Sequence, residues 1–225
     1  MNKNLLVALA VIFCIICGIN SVVKNRVRAQ KIPENFDYGS WNGNSYRNDF
    51  FGFSFDKPES WHIADEADLS FVNELDESEE SGFSQSKKAK KLLEIADITT
   101  AHLFLIMRYG IDEAIEQELE FNPTIALVAE NISASNINML RYAELSKKHL
   151  PSVIPGIVIQ PATVKKIGGK TFVSLSSEFI AYGDKVKIEN LFLSNKRFAL
   201  CFALSWQEDS EKQELDEIMS SLKWD

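Results

Sequence analysis

The sequence lacks most of the residue patterns that enzymes and metalloproteins commonly use. Its three histidines, His62, His102 and His149, have no partner at metal-ligand spacing. There is no Gly-x-Ser-x-Gly elbow, no Walker-type phosphate loop and no Gly-x-Gly-x-x-Gly motif. These absences predict a chain that is not an enzyme and holds neither metal nor cofactor. A hydrolase stays an alternative, because a catalytic triad is defined by geometry and not by order along the chain.

The three cysteines exclude a disulfide framework. Cys14 and Cys17 form a C-x-x-C pair inside an apolar run, without the βαβ pattern that surrounds a redox site. We interpret them as thiols buried within that run. Cys201 falls in a predicted strand and is expected to be a small core residue.

Basic residues are scarce outside the N-terminus. Four of the 24 basic residues and none of the 32 acidic ones lie in the first 29 positions, so the rest carries 20 basic against 32 acidic side chains. Nucleic-acid binding depends on neutralising phosphates. The acidic body therefore argues against a nucleic-acid partner.

The N-terminus contains a continuous apolar run, Leu5 to Ile19, behind a short basic start. Such a run is typical of a signal peptide or, extended to Val23, of a single membrane span. We expect residues 1–29 to be a cleaved signal or an anchor that crosses the membrane with residues 5–23. Lys24, Arg26 and Arg28, if retained, would favour a cytoplasmic side for that flank of an anchor. We nevertheless expect export, with the protein extracytoplasmic and either secreted or membrane-anchored. Residues 30–44 are polar and predict a flexible linker before one domain over 45–225.

Turn residues mark the stretch from Gln160 to Trp206 as three successive β-hairpins. Gly168-Gly169, Gly183-Asp184 and Asn195-Lys196 each separate two runs rich in Val, Ile, Phe and Thr. Glycine and asparagine tolerate the positive φ angles of two-residue hairpin loops.

Two-residue loops at these positions fix the register of the hairpins. The side chains that then meet lie on one face of the sheet, because the side-chain period of a strand is two. The predicted pairs are Val164 with Val173, Phe179 with Ile188, Leu175 with Phe192, and Ile188 with Ala203.

The last of these strands separates large from small side chains. Alternate positions from Phe198 to Trp206 are bulky and apolar, and the positions between them are Ala, Cys or Ser. We expect such a strand to be buried on both faces, with a helix close to its small side. A closing helix, with Ser210 and Gln213 at capping-box spacing, is predicted to pack on the sheet.

Earlier in the chain, periodicity predicts apolar strands over 101–109 and 124–130, a helix over 135–150, and charged helices over 65–80 and 87–98. Phe51, Phe53 and Phe55 alternate along another strand, which Pro58 ends. We interpret these aromatic residues as core; a ligand platform is the alternative.

Three groups of residues together resemble the PsbP-like superfamily, which includes PsbP, DcrB-type proteins and a Ran-binding import factor. They are Tyr46, Asn48, Phe51-Gly52-Phe53, Pro58 and Trp61; then Ile167-Gly168-Gly169-Lys170; and finally Ser221-Leu222-Lys223-Trp224. The resemblance covers most of Ser45 to Trp224. It transfers no binding residue. We therefore treat these positions as a structural fold signature: Tyr46, Asn48, Phe51, Phe53, Phe55, Pro58, Trp61, Gly168 and Gly169.

The resemblance implies an α+β fold, an α/β/α sandwich with a central, mainly antiparallel sheet and helices on both faces. A C-terminal β-meander and a helix would close it. It also implies a binding or assembly role without catalysis. With the apolar N-terminus, it predicts a non-catalytic extracytoplasmic module of the cell envelope that binds an envelope protein. The alternative is a chaperone or adaptor that shields an apolar segment of a partner with the bulky face of Phe198 to Trp206.

Overall fold

The computed structural model describes residues 31–69, 86–87, 99–119, 121–133 and 137–225. The predicted signal or anchor over 1–29, with Cys14 and Cys17, lies outside these residues. So do most of the two charged helices predicted over 65–80 and 87–98. Within the described part of the chain, no helix has the length and apolar character needed to cross a bilayer.

Twelve strands and three α-helices lie wholly within the described residues, and residues 66–69 are also helical. In chain order they are β1 (Ser40–Asn42), β2 (Ser45–Asn48), β3 (Phe53–Asp56), β4 (His62–Ile63), β5 (Thr100–Met107), α1 (Ile111–Glu116), β6 (Thr124–Asn131), α2 (Met139–His149), β7 (Val158–Ile159), β8 (Thr163–Ile167), β9 (Lys170–Ala181), β10 (Asp184–Asn195), β11 (Phe198–Trp206), α3 (Asp209–Met219) and β12 (Lys223–Trp224). A 3₁₀ turn, Leu150–Ser152, follows α2 and contains the proline that ends it.

The strands form two antiparallel sheets. The large sheet has the order β4-β5-β6-β11-β10-β9-β7, and β8 also pairs with β9. The small sheet has the order β1-β2-β3-β12. The α+β class, the mainly antiparallel sheet, the C-terminal meander and the closing helix are confirmed.

Two of the three predicted hairpin loops are displaced by one residue. The first loop is Gly168-Gly169, and Val164 lies opposite Val173 as predicted. The second is Tyr182-Gly183, because Ala181 pairs with Asp184. Both central residues of that loop have positive φ, 52° and 93°. A type I′ turn requires this and favours glycine at its second position.

The third loop is Lys196-Arg197, and Lys196 has a φ of 55°. Each displacement moves the register by two residues, so three of the predicted pairings are wrong. A shift of two leaves every side chain on its predicted face. The observed partners are Val186 for Phe179, Asn190 for Leu175, and Ser205 for Ile188.

Strand β11 separates two apolar cores, and all nine of its residues are buried as predicted. Ala199, Cys201 and Ala203 face a core closed by α1 and α2. The bulky residues, Phe198 to Trp206 at alternate positions, face a second core closed by the small sheet and α3. Helices thus lie on both faces of the large sheet, and four short strands share the layer of α3, so the α/β/α sandwich is not confirmed in this detail.

The bulky face of β11 is covered. Its five large side chains are between 0% and 8% exposed. The chaperone hypothesis needed this face to be open, so the structure removes that surface as a binding site. The aromatic residues of β3 lie in the same core: Phe53 and Phe55 are fully buried, and Phe55 stacks on Phe104 at 5.2 Å between centroids.

Residues expected to form a linker carry structure of their own. Ser40–Asn42 forms β1, which pairs with β2, and Phe36 is buried against Phe198. The division into a signal or anchor, a linker and one domain stays a prediction.

The two glycines of the first hairpin loop provide a matched pair of substitutions. Both have positive φ, 56° for Gly168 and 79° for Gly169. A Cβ on Gly168 would collide with the Leu222 carbonyl oxygen, whereas a Cβ on Gly169 would meet nothing within 4 Å. We expect Gly169→Ala to cost roughly 1 kcal/mol from the left-handed backbone alone. Gly168→Ala should cost a further 1–3 kcal/mol, roughly the penalty of overpacking. Urea unfolding of both variants tests this; equal destabilisation would contradict the described packing of this loop against Leu222.

Candidate functional site

Tyr46 and Asn48, the first two residues of the fold signature, connect β2 of the small sheet by hydrogen bonds to the start of the described chain. Tyr46 Oη donates to the Tyr38 carbonyl at 2.5 Å, and Asn48 Nδ2 donates to the Asp37 carbonyl at 3.1 Å. Asn48 Oδ1 accepts from Phe51 N at 2.8 Å, which fixes the turn into β3. Burial raises the pKa of the Tyr46 phenol to about 12. These groups are occupied by structural hydrogen bonds.

Trp61, in the connection between β3 and β4, is hydrogen-bonded to the closing helix. Its ring is 2% exposed, and Nε1 donates to Glu214 Oε1 of α3 at 2.8 Å. Arg108 reaches the other carboxylate oxygen of Glu214 from the end of β5. The Glu214 carboxylate is therefore shared between an indole donor and a guanidinium.

A cleft lies where the end of β3 meets α3. It has a volume of about 400 Å³. Pro58 ends β3, since proline cannot donate to a ladder, and the chain turns away there to leave this opening. The cleft is lined by Asp56, Lys57, Pro58, Glu214, Glu217, Ile218 and Ser221.

The one hydroxyl among the lining residues, that of Ser221, already donates its proton within the protein. Ser221 Oγ accepts from Asp56 N and donates to Asp56 O, both at 2.9 Å. A serine nucleophile needs a base that takes its proton. Ser221 instead uses its proton to hold the start of β12 against the end of β3. Its position indicates a structural role.

Lys57 is a buried cation whose ammonium group donates hydrogen bonds to three neutral oxygens. Its residue is 8% exposed, and Nζ lies 3.1 Å from Asn44 Oδ1, 3.2 Å from Pro58 O and 2.5 Å from Trp61 O. Burial lowers the pKa of this ammonium. All three protons are directed at these acceptors, so Lys57 shapes the cleft wall.

The carboxylates of the cleft differ in how far they are neutralised. Asp56 accepts from Ser45 Oγ at 2.5 Å and lies 3.5 Å from Lys223 Nζ. Glu214 has the partners described above. Glu217 is exposed and has no ion-pair partner among the described residues. An unneutralised carboxylate beside the apolar side chains of Ile218 and Pro58 suits a cationic group on an apolar stem.

A buried ion cluster orients the helix that carries this cleft. Glu189 of β10 is 1% exposed, and its Oε1 lies 2.5 Å from Lys165 Nζ. Lys212 of α3 lies 3.2 Å from Oε2 and also covers the Trp206 ring at 5.3 Å. Burial opposes ionisation of Glu189, but Lys165, Ser174 and Lys212 together lower its pKa.

The environment of the second buried carboxyl, Glu130, raises its pKa, whereas that of Glu189 lowers it. Glu130 of β6 is 3% exposed, and the Tyr142 hydroxyl of α2 donates to it. Burial raises its pKa from 4.5 to about 7. Thr100 lies directly across from it on β5.

The three histidines lie on three different elements. His62 is in β4, with Nε2 2.7 Å from Asp68 Oδ2, and that oxygen also accepts from Asp65 N at 2.9 Å. His102 is in β5 and His149 ends α2. No cluster of His, Cys, Asp or Glu suited to a metal ion occurs in the part of the chain that the structure describes.

Sequence reasoning missed the cleft and both buried carboxyls. The cleft joins residues more than 150 positions apart, such as Asp56 and Ser221, and no local pattern brings them together. Glu130 does have a signal, since it is an acid within a strand that is otherwise largely apolar. Glu189 has none, because it lies in a strand that contains other charged and polar residues. The capping box was also misplaced: Glu208 and Glu211 cap α3, two residues before the predicted pair.

Glu130 and Glu189 should give opposite pH dependences when each is replaced by glutamine. Glu130 contributes stability below its unfolded pKa and loses it as the pH rises through about 7. As the pH rises from acid to 8, the free energy of unfolding of Glu130→Gln should therefore increase by on the order of 3 kcal/mol relative to that of the parent chain. The Glu189 carboxylate contributes stability above its unfolded pKa. Glu189→Gln should therefore lower the free energy of unfolding by roughly 3 kcal/mol at pH 7 and by less in acid.

Urea unfolding of the three chains from pH 4 to 8 measures both effects at once, and each variant controls for the other. Parallel pH profiles for the two variants would contradict the assigned environments.

Comparisons with known proteins give structural neighbours only. No family model matches the chain, and no curated protein matches it. One solved neighbour is LpqN of Mycobacterium tuberculosis, described as involved in cell envelope biogenesis, with 13% identity over 91% of this chain and 95% of that chain, at a TM-score of 0.47. Another is the cyanobacterial PsbP (CyanoP) of Synechocystis, with 12% identity over 87% and 98% of the two chains, at a TM-score of 0.43. At this identity and TM-score, neither assigns a function to the chain.

Proposed function

We propose that this protein is a non-catalytic binding or assembly module of the cell envelope, exposed on the outer side of the membrane. The cleft beside α3 is where it contacts a protein partner, through a lysine or arginine of that partner. The apolar N-terminal run supports the location, and the acidic body supports a partner with basic groups.

The observation that carries the proposal is the state of the cleft residues. The hydroxyl and the ammonium in the cleft are fully engaged with neutral groups of the protein. Glu217 stands at the rim without a described cation, next to Ile218. Such a site holds a cationic side chain by charge and by its aliphatic stem, and it has no group poised for bond cleavage.

One labelling experiment tests both the location and the contact. Cysteine replaces Glu217 at the cleft in one variant and Glu144 of α2 in a second, matched one, since both are exposed glutamates on helices. The two helices cover opposite faces of the large sheet. A membrane-impermeant maleimide is applied to intact cells, with the unsubstituted chain as baseline because Cys201 is buried.

We expect both variants to be labelled in intact cells. Glu217→Cys should react several-fold more slowly there than as purified protein, because the partner covers it, and Glu144→Cys should react equally in both. Labelling only after lysis would contradict the location. Equal rates for Glu217→Cys in the two settings would contradict the contact.

A further inference from the structure

The large sheet has an edge whose backbone is available for pairing. Strand β9 bonds to β10 on one side and to β7 and β8 on the other, so β8 forms the border of the sheet. Among the described residues, no backbone hydrogen bond reaches β8 from any element but β9. An open edge of this kind is a template for a further strand.

The register identifies which backbone groups face outward. Ile167 and Lys170 flank the two-residue loop, and such flanking residues exchange both ladder bonds. Hydrogen-bonded and free positions alternate along an antiparallel strand, so Thr163 and Lys165 also bond to β9. The N–H and C=O groups of Val164 and Lys166 therefore point away from the sheet.

The side chains of the two outward-facing residues lie on one face and are exposed. Val164 is 63% exposed, the highest value among the large apolar residues described as exposed. Lys166 is exposed and has no ion-pair partner within the described chain, whereas Lys165 is bound by Glu189. The edge thus presents one apolar and one cationic side chain, two positions apart.

Charge decides what kind of strand fits. Residues 163–171 contain three lysines and no acidic residue, in a body that is otherwise acidic. Pairing with β8 of a second copy, centred on either Lys165 or Lys166, would set like charges opposite each other. An acidic strand instead places a carboxylate opposite Lys166, and its backbone can replace the solvent on the outward N–H and C=O groups.

We propose that the outer edge of β8 accepts an extended acidic segment of a partner protein as an added strand of the large sheet. An acidic side chain of that segment lies opposite Lys166 and an apolar one opposite Val164. This surface is separate from the cleft at α3, and it adds a mode of recognition that the proposed function does not contain.

The test uses the full chain and an acetylated, amidated pentapeptide, Thr-Glu-Thr-Val-Thr, which in antiparallel register sets Glu opposite Lys166 and Val opposite Val164. Residue-resolved hydrogen exchange measures the amides of β8 with peptide at about 5 mM, a concentration suited to a small weak interface. We expect exchange to slow at Val164 and Lys166 and to be unchanged at Thr163 and Lys165, whose amides already bond to β9.

Variants separate backbone pairing from charge. Val164→Pro removes an outward N–H and should abolish the protection, while Val164→Ala keeps that N–H and should retain most of it. The Lys166→Glu variant should bind this peptide roughly fivefold more weakly. It should bind the basic peptide Thr-Lys-Thr-Val-Thr instead. Thermal unfolding of each variant checks that the fold is intact.

Three results would overturn the proposal: no protection in the parent chain, protection that persists in Val164→Pro, or self-association that Val164→Pro abolishes in the absence of peptide. Binding to anionic vesicles that depends on Lys166 but not on the Val164 N–H would likewise overturn it, in favour of a membrane contact. The labelling of Glu217→Cys is independent of all these outcomes, so failure here and failure of the cleft proposal are distinguishable.

Discussion

Strand β11 is buried along its whole length and divides the interior into two apolar cores. Its small residues line the core that α1 and α2 close, and its large ones fill the core that the small sheet and α3 close. Burying one large apolar side chain contributes about 1.5–3 kcal/mol, and four rings cluster here around Phe202 alone. The other layers are positioned by the need to cover both faces of this strand.

With β11 buried on both faces, the charged side chains that are open to a partner lie at the surface of the protein. The middle of the molecule is apolar or holds carboxyls that are matched to their surroundings, such as Glu189 between two lysines. Glu217 at the α3 cleft and Lys166 at the β8 border each lack an ion-pair partner among the described residues. Glu189 therefore links the two surfaces: Lys165 comes from β8 and Lys212 from α3. The two proposed contact surfaces are thus joined through one buried carboxylate.

Local sequence rules explain what could be predicted. Alternation of size along 198–206 fixes the two-sided burial of β11, and paired glycines fix the first hairpin loop. The other loops were displaced by one residue because Tyr182 and Lys196 adopt left-handed backbone that their types disfavour. The small sheet was missed because β1 and β12 are only three and two residues long, and because β12 pairs with β3 across most of the chain. The cleft was missed for the same reason, since Asp56 and Ser221 meet only through that pairing.

We expect β11 to be the most protected element of the structure, since all nine of its residues are buried. Residue-resolved hydrogen exchange of the full chain under native conditions measures this directly. The amides of β11 should exchange last, with an opening free energy equal to that of global unfolding, and the outward amides of Val164 and Lys166 should be among the first. Exchange from β11 at the rate of the β8 border, or before the strands of the small sheet, would contradict it.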